Sequence, residues 1–346
     1  MWKLQFSGLK YLFLLLVFGF GCSKKQAEEH NFYYWKTTYT TTNTEKAALK
    51  NNDTKKIYFR LCDIEMSYDK KPHPENVILW TEQPDTNYHY IPVLFIKNEV
   101  FENLTSTSEL GNTTDINKQL ILDLADKIHR LAQSSMEYVG LELTELQLDC
   151  DWNATTKDAF FFCLESIKKE NPTLKLSATI RLYQLKYNHA AGIPPVDKAV
   201  IMCYNMGDMY DAKGGNSVFD IDIIEQYLDK KQEYKEIPIS FALPIYSWYL
   251  AYRNDQFRGI VRNLSEEELT KYFVELDDTH YRCNTNDLSK YQLQAGDVLR
   301  FESATTKQLQ LGEKMLKSKL PNWNGEIIFF DLDGSSLTRY DKEILD

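Results

Sequence analysis

Clustered cysteine is the first thing this chain lacks. Beyond Cys22 it has five cysteines (Cys62, Cys150, Cys163, Cys203 and Cys283), scattered with no CxxC pair and no zinc-like spacing. That pattern excludes a zinc knuckle or a dithiol redox motif. An odd count leaves at least one thiol unpaired in an exported protein, and most of the five read as buried small hydrophobes. No metal and no cofactor is expected. A basic surplus is missing too: 40 Lys and Arg stand against 50 Asp and Glu, a net charge of −10. Without a basic stripe, nucleic acid is not the expected partner. Internal repeats are absent, and compositional bias is confined to the Thr-rich stretch Thr37–Thr44. The apolar run Tyr11–Phe20 falls well short of the roughly 20 residues that a membrane-spanning helix needs.

What is present begins with that run. Lys3 and Lys10 supply a positive region, Tyr11–Phe20 an apolar one, and Gly21–Cys22 a small residue before a cysteine. This resembles a bacterial lipobox, with Gly19 and Phe20 departing from the usual Leu and small residue. The expectation is a signal peptide over 1–21, a lipid anchor on Cys22, and a tether over 22–31. The protein would then sit in the cell envelope of a bacterium as an outer membrane lipoprotein, held to the membrane by lipid. A plain secretory peptide or an uncleaved anchor is the alternative. The acidic Gln26–Glu29 is reminiscent of surface-export signals in some lipoproteins.

From residue 32 onward, apolar runs alternate with helical patterns. With 43% hydrophobic residues, the chain has enough apolar content for one large core or two smaller ones. The runs Phe32–Thr37, Ile57–Ile64, Ile91–Lys97, Leu146–Asp151, Leu174–Ile180, Ala199–Tyr204, Ile237–Leu243 and Glu326–Asp331 read as eight strands. Helices are expected over Glu45–Asn51, Ile116–Met136, Thr155–Lys169, Ile221–Lys231 and Thr305–Lys317. The second of these carries an apolar stripe at Ile116, Leu120, Leu124, Ile128 and Leu131. His73–Tyr88 reads as a polar loop. The fold class is α/β, a (β/α)8 TIM barrel over 32–346. Asn254 to Glu302 breaks the rhythm with short strand-like pieces and one helix, so a small α+β insertion is expected after the seventh strand.

Asp149 and Asp151 in LQLDCDWN share one face of the fourth strand, while Cys150 points the other way. Two like charges on one face usually mark a polar site; the simpler account is acids capping the helix that follows. In a (β/α)8 barrel, function sits at the C-terminal strand ends. Asp63 and Glu65 fall there on the second strand, with Arg60 expected in a salt bridge. Trp35, Tyr246 and Trp248 follow the first and seventh strands and offer rings for stacking. Asp331 and Asp333 in FFDLDG read as a turn with an Asp cap. Gly207 is expected to adopt a positive φ.

Several of these stretches resemble glycoside hydrolase family 18, the chitinases and related endoglycosidases. That family ends its fourth strand in DxxDxDxE, where the last acid protonates the leaving oxygen and the Asp before it orients the N-acetyl nucleophile. Asp149-Cys150-Asp151-Trp152-Asn153 is similar, with Asn153 at the acid's position and Leu146 at that of the first Asp. Met202-Cys203-Tyr204-Asn205 resembles the sixth-strand MxYD, Ala242–Tyr246 the seventh-strand segment, and Leu176–Thr179 the fifth-strand pattern. The resemblance implies catalytic-position residues Asp149, Asp151, Asn153 and Tyr204, and substrate contacts from Asn205 and Met202 beside the residues above. It also implies an oligosaccharide or polysaccharide partner containing N-acetylglucosamine. Because an amide cannot surrender a proton near neutral pH, hydrolysis is expected to be impaired or absent, a loss of roughly 10²–10⁴-fold. Two alternatives stay open: an active glycosidase whose acid is Asp151, Asp63 or Glu65, and an assembly lipoprotein using the barrel exterior.

Overall fold

A computed structural model describes residues 28–105, 113–228, 234, 237–262 and 264–340. The expected signal peptide, the Cys22 anchor and most of the tether lie outside the described residues. Eight parallel strands close a barrel: Glu29–Tyr34, Lys56–Met66, His89–Ile96, Glu145–Asp149, Lys175–Arg181, Lys198–Met202, Ile239–Pro244 and Trp323–Phe330. Each pairs with its neighbours in sequence order, and the first pairs with both the second and the eighth, so no barrel edge is left open. Helices between the strands cover the outside, as both faces of an all-parallel sheet require. The chain is a (β/α)8 barrel.

Local chemistry sets the helix starts. Thr42 with Glu45 and Thr305 with Gln308 form reciprocal capping boxes. Glu45 does more, because it is buried. Its Oε1 accepts from Lys36 Nζ at 2.5 Å and from the Gly334 amide at 2.8 Å, tying the first helix to both sides of the seam where the barrel closes.

The barrel interior is polar at its N-terminal end. Glu326 Oε1 accepts from Asn31 Nδ2 at 2.9 Å, Tyr58 Oη at 2.7 Å and Lys56 Nζ at 3.0 Å. Its Oε2 accepts from Ser240 Oγ at 2.6 Å and Lys198 Nζ at 3.2 Å. Lys198 in turn pairs with Glu145 at 2.8 Å. One layer up, Tyr33 donates to Gln147 at 2.6 Å. This interior explains a difference from the expected first strand. The strand starts at Glu29, inside the expected tether, because Asn31 is a buried polar residue that apolar patterning does not mark.

Three further expectations change. Asn205, not Gly207, has the positive φ (54°) in the loop after the sixth strand. Gly207 is needed for space, since a Cβ there would stand 2.9 Å from the Ser217 Cα. The expected His73–Tyr88 loop opens as a strand, Pro72–Glu75, folded antiparallel onto the end of the second strand. Two prolines are tolerated there because it is an edge strand. The long helix runs Thr113–Tyr138 and buries Ile121, Leu124, Ala125, Ile128, Ala132 and Met136, while Leu120 is 42% exposed. The apolar stripe is therefore offset from the expected one.

The insertion is a five-stranded antiparallel sheet with a core of its own, including Phe273, Cys283, Leu288 and Leu299. It starts at Ser247, earlier than expected, because its first strand, Ser247–Arg253, follows the seventh barrel strand after only a short turn and is equally apolar. Glu302 fastens it to the barrel. It accepts from Trp248 Nε1 at 2.9 Å and Arg300 Nε at 2.8 Å, and the Ser217 hydroxyl also donates to it.

Glu326 generates a prediction about acid stability. Burial alone would raise its carboxyl, but Lys198, Lys56 and the Ser240 and Tyr58 hydroxyls outweigh it and hold the group at about 2 against an ordinary 4.5. Its stabilising contribution is complete above pH 4.5 and is lost as pH falls toward 2. Glu326→Ala removes the carboxylate that Lys56 and Lys198 share, leaving them only Glu29 and Glu145, and is expected to cost about 3–5 kcal/mol at pH 7 in urea melts. A loss under 1 kcal/mol would contradict this account.

Candidate functional site

Alternation along the fourth strand turns Glu145, Gln147 and Asp149 into the barrel and carries Asp151 onto the same side. Asp149 is only 8% exposed, and the Thr179 hydroxyl donates to its Oδ1 at 2.5 Å. Burial first, then the Asp151 carboxylate, raise the Asp149 carboxyl; Thr179 and Arg181 oppose them, and the group stands at about 6. Asp151 is gripped by Arg181, whose Nε and Nη2 reach its two oxygens at 2.7 and 3.0 Å. Such a two-pronged pair is among the stronger charge-assisted contacts. Tyr204 lies beneath the mouth, and burial, then Asp149, hold its phenol well above the ordinary value.

The rest of the motif does structural work. Trp152 is buried, with its indole donating to the Ala191 carbonyl at 2.8 Å. The Asn153 side-chain oxygen, Oδ1, accepts from the Thr155 amide at 2.8 Å, the Thr155 hydroxyl at 2.7 Å and the Thr156 amide at 3.3 Å. It caps the turn leading into the helix Lys157–Glu170.

The second-strand acids are also engaged. Asp63 is bound by Arg60, with Nε at 2.8 Å from Oδ1 and Nη2 on the other oxygen, and it accepts from Asn76 at 3.2 Å. Residues three apart share a face here because the pairing register shifts between Arg60 and Cys62. Glu65 pairs with Lys97 at 2.8 Å. Asp63, Glu65 and Asp151, the three expected replacement acids, are thus each committed to a cation.

A wide concavity also opens at this end of the barrel. An open cleft of about 810 Å³ sits among the strand ends and the insertion, lined by Trp35, Asn205, Tyr246, Trp248, Arg262, Phe330 and Asp331, among others. Phe330 is the hub of its floor. Its ring stacks on Tyr204 (4.9 Å, 25°) and packs against Trp35 (5.3 Å), Tyr246 (5.8 Å) and Tyr33 (5.7 Å). Tyr246 donates to Asn205 Oδ1 at 2.6 Å, and the left-handed backbone at Asn205 suits that residue type. The structure therefore gathers Trp35, Asn205, Tyr246 and Trp248 at one cleft. Met202 lies deeper, 3% exposed on the inward face of the sixth strand. Trp248 is also largely buried, with its indole held by Glu302.

Among the cleft residues Phe330 and Arg262 escaped the sequence expectations, and Asp331 was expected in a capped turn. In FFDLDG it is Asp333 that caps, accepting from the Ser335 and Ser336 amides at 3.0 and 3.4 Å. Asp331 instead lines the cleft, and burial, then Asp333, raise its carboxyl to about 6. Its place at the end of the eighth strand was the available signal.

Fold and mouth together define a (β/α)8 barrel with its cleft at the C-terminal strand ends. No family model matches the chain, and no curated protein matches it in sequence. Solved structures do share its architecture. The spore cortex-lytic enzyme SleL of Bacillus cereus aligns with a TM-score of 0.52 at 14% identity, over 92% of this chain and 76% of its own. The xylanase and α-amylase inhibitor protein XAIP-II of Scadoxus multiflorus aligns at 0.46 and 9%, over 90% and 95%. Active domain 2 of the thermostable chitinase of Pyrococcus furiosus aligns at 0.39 and 13%, over 88% and 84%. At such identities the SleL likeness establishes the fold and leaves activity to be argued from the site.

Asp149 offers a test of the mouth's electrostatics. Its folded carboxyl, at about 6, lies above the ordinary 3.8, so ionisation costs stability as pH rises through that window. Asp149→Asn removes the cost, and at pH 7.5 the variant is expected to be more stable than the parent by about 2–3 kcal/mol. At pH 3.5 the gain should vanish. Destabilisation at both values would show that Asp149 is a satisfied anion instead.

Proposed function

We propose that this is a lipid-anchored, envelope-facing protein that binds an oligosaccharide containing N-acetylglucosamine and does not cleave it. The observation that carries the reading is Asn153. The position where the resembling family keeps its proton donor holds an amide, and its oxygen is occupied in the turn that leads into the following helix. The remaining groups support recognition over turnover. Asp151 is neutralised by Arg181, while the cleft keeps an aromatic floor of Trp35 and Phe330 on which a sugar ring can stack. SleL is described as a cortex-lytic enzyme. On the present reading this chain keeps such a fold for binding alone.

Residual hydrolysis is the second reading, and one observation favours it. Asp149 and Asp331 both stand at about 6, in the range of working proton donors.

The full chain, purified in detergent, should bind oligosaccharides of N-acetylglucosamine and release no new reducing ends over a prolonged incubation. Trp35→Ala should weaken binding by about tenfold or more, as expected from losing a stacking ring. Cleavage that disappears in Asp149→Asn would transfer the case to the second reading. Absence of any binding across a broad glycan panel would overturn both.

A further inference from the structure

The cleft holds two opposite charges that do not close on each other. Asp331 follows Phe330 directly at the end of the eighth strand, and Arg262 follows the second strand of the insertion, Gln256–Val261. Both line the cleft. Among the described residues no side-chain donor bonds the Asp331 carboxylate, and only its own backbone N–H reaches it. Arg262 is near enough to lower the Asp331 carboxyl, yet among the described residues the two do not close into an ion pair. The fourth-strand acids differ: both Asp151 oxygens are taken by Arg181, and Asp149 is met by Thr179.

We propose that Asp331 and Arg262 are the specificity-determining pair of the cleft, accepting from and donating to hydroxyl groups of a pyranose ring stacked on Trp35. The inference rests on the saccharide-binding reading and relocates its polar contacts from the fourth strand to the eighth strand and the insertion. A pyranose presents an apolar C–H face and a rim of neighbouring hydroxyls, each able to donate and to accept. An aromatic floor takes the face. A carboxylate and a guanidinium held apart at the rim take one hydroxyl each, through charge-assisted bonds stronger than those between neutral groups. Two charges already joined would have to be separated first, so their separation favours a bridging ligand.

The same placement makes binding depend on pH. The charged and titratable groups facing Asp331 are Asp333 on its own loop, Arg262 from the insertion, Lys36 after the first strand, and the Tyr246 phenol after the seventh. Burial and Asp333 raise the carboxyl, Arg262 and Lys36 oppose them, and it stands at about 6. The hydroxyl-accepting anion therefore dominates at pH 7.5 and is the minor form at pH 5, which weakens binding there by about tenfold.

The test is calorimetric titration of the full chain in detergent with the tetramer of N-acetylglucosamine, at pH 5 and 7.5. Asp331→Asn keeps shape and removes charge, Arg262→Ala changes an exposed side chain, and Asp151→Asn probes the fourth strand. Melting curves check that each variant is folded. The expected result is binding at pH 7.5 about tenfold or more weaker in Asp331→Asn and in Arg262→Ala, with the pH dependence gone in the former. Unchanged binding in both, with loss in Asp151→Asn, would overturn the proposal and leave the saccharide reading standing. No binding by the unsubstituted chain at either pH would overturn both.

Discussion

A carboxylate inside a barrel must be met by donors or become harder to ionise, and this barrel does one at each end. At the N-terminal end Glu326 receives bonds from two lysines, a tyrosine, a serine and an asparagine, contributed by four other strands. That layer holds first, second, sixth, seventh and eighth strands in one register. At the C-terminal end compensation is partial. Asp149 has Thr179 and a like-charged neighbour in Asp151, and its carboxyl rises to about 6. The first arrangement builds the scaffold, and the second leaves a partly compensated carboxyl at the mouth.

Between the two ends runs a column of rings. Tyr33, Tyr58, Trp35, Tyr204, Tyr246 and Phe330 pack edge, tilt and face around the barrel axis. Phe330 joins the fourth-strand side of the mouth to the cleft, since it touches both Tyr204 and Trp35. Glu45 closes the seam beneath that cleft by binding Lys36 and Gly334 at once. The insertion supplies the far wall through Trp248 and Arg262, and Glu302 and Arg300 fix it to the loop after the sixth strand. Recognition on such a surface needs little rearrangement, because its rings are already packed against one another.

Much of the fold was legible because both faces of each strand are buried, so each reads as a short apolar run. What escaped has physical causes. Asn31 and Glu326 look like loop residues until a polar interior gives them partners. The strand Ser247–Arg253 carries the same apolar pattern as the barrel strand before it, which hid the start of the insertion. Phe330 is indistinguishable from any core phenylalanine until closure brings four aromatic neighbours to it. At the site, the shared face of Asp149 and Asp151 followed from strand periodicity. Their partners Thr179 and Arg181 lie about 30 residues away, a distance no local motif spans. Asn153 sits where turn formation and catalysis ask for similar residues, so only three-dimensional placement showed that its side chain holds the turn before the helix.

The account's central claim is that a saccharide rests intact on the aromatic cleft and not over the fourth-strand acids. The most direct measurement is a crystal structure of the protein soaked with the N-acetylglucosamine tetramer. The account predicts an uncleaved chain with one ring on Trp35 and its hydroxyls toward Asp331 and Arg262. A shortened chain, or a ring seated over Asp149 and Asp151 with the Arg181 pair broken, would contradict it.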